Sequence, residues 1–446
     1  MLLKSPFAVP MKYSTSKRIF ELQHTVKNPL NVNPFVYNKN FLLWTVLGVI
    51  GGAIAGIYWI ILENLTAVLT IVQDFYVIPL MTIAGLIAGL IIHKLGDPGE
   101  IDLMVDNIHF KGGRLEPKNN PSMIFSSLIC IAAGGSLGPE APLVQVVGST
   151  GTYIARKLGF KGEDVRSITI AGMASAFTAL FGAPLGGSLF ALEILDHRHV
   201  TRYYKAFMPA LVASCASYLV FVLITHLNLG PTWNFPASSD PKIGDIFYAV
   251  AYSFAGAAAG WLFIFFVKNF KYIFRRIKLP VYYKLTIGGF FLGTIAYYVP
   301  LTRYFGHEQL AEIISGTFTI QFLCILLVMK LIAIAITVTS GWRGGFIIPL
   351  LFAGTVLGLI IHQVFPEQNL TLITVCCMAA LNACVTRTPV SIIILLGMMT
   401  GYQNIVPIIF ASLTGYFLAP KSPLIHAQLG PEGKTYQLSS EDKLIR

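Results

Sequence analysis

The sequence predicts an all-α polytopic membrane protein built as an inverted repeat of broken helices, and three observations predict it. The first is composition: of 446 residues, 55% are hydrophobic and only 12% charged, where a soluble domain carries roughly 25% charged residues. The second is the recurrence of uncharged runs that reach the ~20 residues a bilayer span requires: 41–62, 206–225, 246–267 and 388–420. None of them alternates as a barrel strand would. The third is that apolar segments are interrupted by glycine and proline at matching places in two halves, the mark of helices that stop midway across a membrane.

The elements follow in order. Residues 1–40 are polar and basic, with six Lys/Arg against one acid, Glu21. They contain no cleavable signal and read either as a cytoplasmic segment with a short helix ("TSKRIFELQHTV") or as an unstructured tail. The first repeat, 41–226, holds the breaks "GDPGEI" (96–101), "GPEAPL" (138–143) and "FGAPLGG" (181–187). A nearly charge-free linker, 227–242, suits the outer side. The second repeat, 243–425, carries "GWRGGFIIP" (341–349) and "TRTPVS" (386–391). Its stretch 268–284 has six basic residues and no acid, so with residues 1–40 it is expected in the cytoplasm by the positive-inside rule. Residues 426–446 form a short tail. The net charge of +11 is thereby read as topology, and no nucleic-acid partner is expected. The breaks themselves repeat. "GPEAPLVQVVGSTG" precedes "FGAPLGGSLFALEIL" in the first half, and "GFIIPLLFAGTVLG" precedes "TRTPVSIIILLGMMTG" at a similar interval in the second.

A helix that begins inside a membrane aims free backbone N–H groups and a partial positive charge at whatever lies before it. Several such starts converging make an anion site built from amides. The candidates are Gly96, Asp97, Pro98 and Gly99; Leu137, Gly138 and Ala141; and Gly345, Phe346, Ile347 and Ile348. Pro139 and Pro142 suit first-turn positions because proline has no N–H to leave unmet. Arg343 either raises the local potential or snorkels to an interface. Glu140, directly after an apolar run, is an acid where one is costly; it is either a functional group on a pathway or a carboxylate steadying the first turn of its own helix. The six cysteines lie in apolar segments without metal spacing and read as packing residues. The nine histidines show no His-x-x-x-His pair. No metal, cofactor or enzymatic centre is therefore expected.

At these motifs the sequence resembles the CLC family of chloride channels and chloride/proton exchangers. The family's G-[KR]-E-G-P motif corresponds to Gly138-Pro139-Glu140-Ala141-Pro142, and its G-x-F-x-P motif to Gly345-Phe346-Ile347-Ile348-Pro349; "FGAPLGGSLFALE" and "ACVTRTPVSIIILLGMMTGYQ" are similar as well. The resemblance implies about eighteen helices in each subunit of a homodimer, with one pore per subunit. It also implies Glu140 as the gating carboxylate, which competes with the permeating anion for one site. This places the chain in the cell (cytoplasmic) membrane with both termini cytoplasmic, handling chloride or a similar anion. Departures from the family pattern accompany the matches. Where family exchangers carry an inner proton-delivering glutamate, this chain has Ile194, after Glu193; Glu193 is either structural or paired with Arg198 or Arg202. The family's G-S-G-I-P loop is represented by Gly96-Asp97-Pro98-Gly99, without the serine, so Asp97 would repel an anion unless it points away. The family's tyrosine falls near Ile425. Without an inner acid and the two hydroxyls, the expectation leans to passive conduction, with chloride/proton or fluoride/proton exchange as the alternative.

Overall fold

A computed structural model of the chain describes residues 34–99, 101–110, 113–195, 200–227, 233, 235–236 and 241–425. The short helix expected near residues 15–26 lies outside them. Residues 1–43 group as one unit, of which the described part is the start of the first helix; all that follows concerns the unit Trp44–Arg446.

Sixteen α-helices are found among the described residues, against about eighteen expected, and they fall into two series of eight. The first comprises α1 (Pro34–Thr70), α2 (Val77–Leu95), α3 (Ile101–Phe110), α4 (Asn120–Ala132), α5 (Glu140–Lys157), α6 (Glu163–Phe181), α7 (Pro184–Glu193) and α8 (Val200–Thr225). The second comprises α9 (Ile243–Arg276), α10 (Val281–Tyr298), α11 (His307–Ser315), α12 (Ile320–Ser340), α13 (Ile347–Val364), α14 (Leu370–Thr386), α15 (Pro389–Thr400) and α16 (Ile405–Phe417). The series match in order and largely in length. Each opens on its longest helix, 37 and 34 residues, and each has an 18-residue fifth member.

Local chemistry places the matching breaks. α6 ends on Gly182 and α14 on Arg387, both left-handed, and two residues later Pro184 and Pro389 open α7 and α15, where a missing N–H costs nothing. Arg387 holds a backbone shape that glycine would adopt freely, and its guanidinium donates to the carbonyls of Pro420 and Lys421. The run 388–420, expected as one span, is cut at Gly401 (φ +92°) into α15 and α16. The 246–267 run extends instead, because α9 carries the first basic residues of 268–284 to its end at Arg276.

Small residues bring the helices together, as van der Waals packing must where lipid leaves no hydrophobic drive between helices. Gly48, Gly52 and Gly56 seat α1 on Ala213, Ser217 and Ile224 of α8; Gly256 and Gly260 seat α9 on α14 in the same spacing. The counterpart helices α2 and α10 pack directly on one another. Among the described residues, six helical segments are long and apolar enough to cross a membrane. α6 and α14 are instead buried on nearly every face, so they are interior helices enclosed by the rest. Cys130, Cys376, Cys377 and Cys384 are buried in this packing, whereas Cys215 and Cys324 are exposed, which corrects their reading as packing residues.

Candidate functional site at the junction of two helix starts

The two series meet where α5 and α13 begin. Gly138 and Gly345, each two residues before its helix, form an isolated antiparallel bridge. Gly138 N donates to Gly345 O at 2.8 Å and Gly345 N to Gly138 O at 2.6 Å. This reciprocal pair satisfies the backbone N–H and C=O of both glycines where the chain breaks inside the protein. It also aims two helix N-termini at one place.

Glu140 lies there, fully buried. Its Oε1 accepts the backbone N–H of Ile348 at 2.8 Å, from a residue 208 positions away. The carboxylate thus bonds the first turn of the other repeat's helix, in the position that an anion attracted by α13 would take. Oε2 is buried without a hydrogen-bond partner, which leaves one oxygen able to carry a proton. Both glycines leave room for the carboxylate: a Cβ on Gly138 would stand 2.7 Å from the Glu140 Cδ, and one on Gly345 2.8 Å from it. Ala141, Phe346, Ile347 and Ile348 are also buried around this junction.

On one side of the junction a cavity of about 220 Å³ is lined by Gly99, Ala141, Phe346 and Ile425, together with Arg343 and three residues of the basic stretch, Lys271, Arg275 and Lys284. Four of the sequence candidates are therefore gathered here. Ile425, where the resemblance implied a tyrosine, supplies only an aliphatic wall and is 2% exposed.

The loop before α3 behaves differently from expectation. Gly96 N donates to Ile92 O, Gly99 N donates to the Asp97 carboxylate at 2.8 Å, and Pro98 has no N–H. The amides of Gly96 and Gly99 thus bond within the protein. Asp97 accepts from Arg343 Nη2 at 2.8 Å, and Gly99 O from Nη1 at 3.1 Å. Side-chain exposure is 5% for Arg343 and 65% for Asp97, so Arg343 neither snorkels nor stands as an isolated charge. It pins the loop and offsets the Asp97 charge. Leu137 N is likewise taken, by Gly135 O at 2.8 Å.

Glu193 is paired in a way the sequence did not suggest. Its carboxylate accepts from Val390 N at 3.0 Å, Ser391 N at 2.7 Å and the Ser391 hydroxyl. It caps α15 across the repeats, as Glu140 does α13. Arg198 lies outside the described residues, as does the side chain of Arg202. Ile194, the next residue, is buried at the end of α7. Sequence reasoning also missed Tyr58. It is buried and hydrogen-bonds Ser127 Oγ at 2.8 Å; a tyrosine inside an uncharged run was the available signal. Among the described residues no group of three His, Cys, Asp or Glu could hold a metal ion.

Comparison with known proteins agrees with this architecture. The family model for voltage gated chloride channels matches residues 84–420. An uncharacterized protein of Methanocaldococcus jannaschii, MJ0305, is 27% identical over 399 residues, covering 87% of this chain and 96% of the relative. A putative chloride channel protein, ClcB-like, of Ralstonia nicotianae is 27% identical, covering 76% of this chain and 81% of its own length. Among solved structures, a CLC-type fluoride/proton antiporter superposes with a TM-score of 0.77 at 21% identity, over 88% of this chain and 98% of that one. A slow cyanobacterial Cl⁻/H⁺ antiporter gives a TM-score of 0.74 at 18% identity, over 85% and 94%. With a family model spanning most of its helices, the chain belongs to the voltage-gated chloride channel (CLC) family, a family of anion-transporting membrane proteins.

Proposed function

We propose that the chain exchanges a monovalent anion, chloride or fluoride, for protons across the cell membrane, with Glu140 as the group shared by both ions. The observation that carries this reading is the Glu140 carboxylate on the Ile348 amide. A side-chain anion holding a backbone donor at a helix start competes with any permeating anion for that donor. Protonation at Oε2 removes the competing charge and releases the amide. The anion then takes the N–H, and deprotonation restores the carboxylate. Ala141, Phe346, Ile347 and Ile348 line this anion step, and Gly138 and Gly345, whose amides bond each other, brace it. Gly99 and Ile425 line the mouth, and Gly96, Asp97, Pro98 and Leu137 support the loops. The fold likeness to two proton-coupled antiporters supports exchange over the conduction expected from the sequence. In this reading the basic stretch 268–284 and both termini face the cytoplasm, and two copies assemble as a homodimer with a pore in each.

Passive conduction remains the second reading because of one observation: Ile194, buried and aliphatic, cannot relay a proton. The two separate in purified protein reconstituted into liposomes under a chloride gradient, with voltage held near zero by valinomycin and potassium. Uphill proton movement driven by chloride establishes exchange; chloride flux without proton movement establishes a channel and overturns the proposal. The same run with fluoride assigns the ion.

A further inference from the structure

Trp342 stands in the loop before α13 and is 3% exposed, yet the Glu140 chemistry makes no use of it. Its indole N–H donates to Leu285 O on α10 at 2.9 Å. Its backbone N–H donates to Thr337 O, in the last turn of α12, at 3.2 Å. The two bonds fix where the ring lies. One edge covers Gly135, in the loop before α5, where a Cβ would stand 2.8 Å from Cε3 and 2.9 Å from Cζ3. Another edge meets α10, where a Cβ on Gly289 would stand 3.1 Å from Cζ2.

This contact belongs to a register between the two loops. Gly138 and Gly345 bridge two residues before their helices. One position earlier, a Cβ on Gly344 would stand 3.0 Å from the Leu137 Cβ. Two positions further back, Trp342 covers Gly135. Each residue thus meets its own counterpart in the other repeat, as residues beside a two-fold axis do. At both side-chain positions a large residue faces a glycine, and the two are reversed between the loops. Leu137 of the first loop fills the space at Gly344, and Trp342 of the second fills the space at Gly135.

We propose that Trp342 is a positioning residue whose ring fixes the spacing of the α5 and α13 starts, and that this spacing limits the size of the halide the junction admits. Fixed donors discriminate ions by size only if they cannot follow the ion inward or outward. A ring wedged between backbones supplies that rigidity, because a close-packed interior transmits a displacement and does not absorb it. The bridge alone holds the loops at one point; the Leu137 and Trp342 contacts prevent them from pivoting about it. With the ring gone, the α13 start and its Ile348 donor can move away from α5, and a larger anion fits. The selectivity rests on the transport reading above; the interlock does not.

Calorimetry on the purified full chain measures the affinities for fluoride, chloride, bromide and iodide, and the readout is the ratio of the tightest-bound halide to iodide. Trp342→Leu is expected to shrink that ratio at least threefold, and Leu137→Ala, which unlocks the neighbouring position, at least twofold. Trp342→Phe keeps a ring over Gly135 and is expected to stay within twofold of the wild type. Leu47→Ala, fully buried on α1, is expected to lower the melting temperature and leave the ratio unchanged, which separates positioning from a general loss of packing. An unchanged ratio in Trp342→Leu overturns the proposal, as does one in Leu137→Ala should Trp342→Leu not elute as the wild type does. A wild type that binds all four halides alike also overturns it. A ratio in Trp342→Phe as low as in Trp342→Leu overturns the assignment to the ring. Absence of halide flux from wild-type vesicles refutes the transport reading alone, because the affinities are read on purified protein.

Discussion

Replacing Glu140 by alanine removes the group that holds the Ile348 amide. The structure shows one hydrogen bond, 2.8 Å from Ile348 N to Oε1, inside a fully buried site. Hydrogen bonds to charged groups contribute about 1.5–3 kcal/mol net, and an anion entering the wild-type protein must displace this one. At ~1.4 kcal/mol per decade, Glu140→Ala is expected to raise the affinity for a halide about ten- to a hundredfold. Calorimetric titration of the purified protein with chloride, and separately with fluoride, measures the change. Glu140→Gln keeps the shape but offers a neutral acceptor, so its gain should be smaller and in the same direction. In liposomes both variants should lose proton movement and the dependence of flux on external pH, because the group that takes the proton is gone. Unchanged halide affinity in Glu140→Ala, with wild-type pH dependence, would refute the competition argument at its root. The carboxylate would then be a structural cap only.

Other perturbations test neighbouring parts of the reasoning. Gly345→Ala places a Cβ 2.8 Å from the Glu140 Cδ, so it should expel the carboxylate, mimic Glu140→Ala in its halide affinity, and cost about 1–3 kcal/mol of stability as overpacking does. That cost should shrink in the Glu140→Ala background, and thermal melts of the double-mutant cycle check the coupling. Lys330 is fully buried, with Nζ donating to Thr302 O at 3.1 Å and Tyr304 O at 2.8 Å, and lies 4.9 Å from the Phe352 ring centroid. Lys330→Ala strips those carbonyls of their donor and opens a cavity, at a cost of about 2–5 kcal/mol; an unchanged melting temperature in detergent would contradict this. Glu193→Gln weakens the cap on α15 by about 1 kcal/mol and, because the side chain is fully engaged, should leave the ratio of anions to protons unaltered. A changed ratio would make Glu193 part of the proton route.

What could be read from the chain itself was local. Runs of apolar residues reveal membrane helices because each residue's transfer into lipid depends on its own side chain. Glycine and proline mark where helices stop because they act through φ and a missing N–H at their own positions. Hence "GPEAP", "GFIIP", "FGAP" and "TRTP" identified the helix starts now seen at Glu140, Ile347, Pro184 and Pro389, and Glu140 stood out as an acid where burial is costly. What the side chains do there was decided by partners far away in sequence. Glu140 reached the Ile348 amide, 208 residues away. Arg343 took Asp97, 246 residues away, and Glu193 took the start of α15, 198 residues away. The basic stretch 268–284, read as a topology signal, also supplies three cations to one cavity. The physical reason is common to the first three. A buried polar group must find a partner at hydrogen-bond distance, and only the packing of one repeat against the other determines which groups lie within that distance.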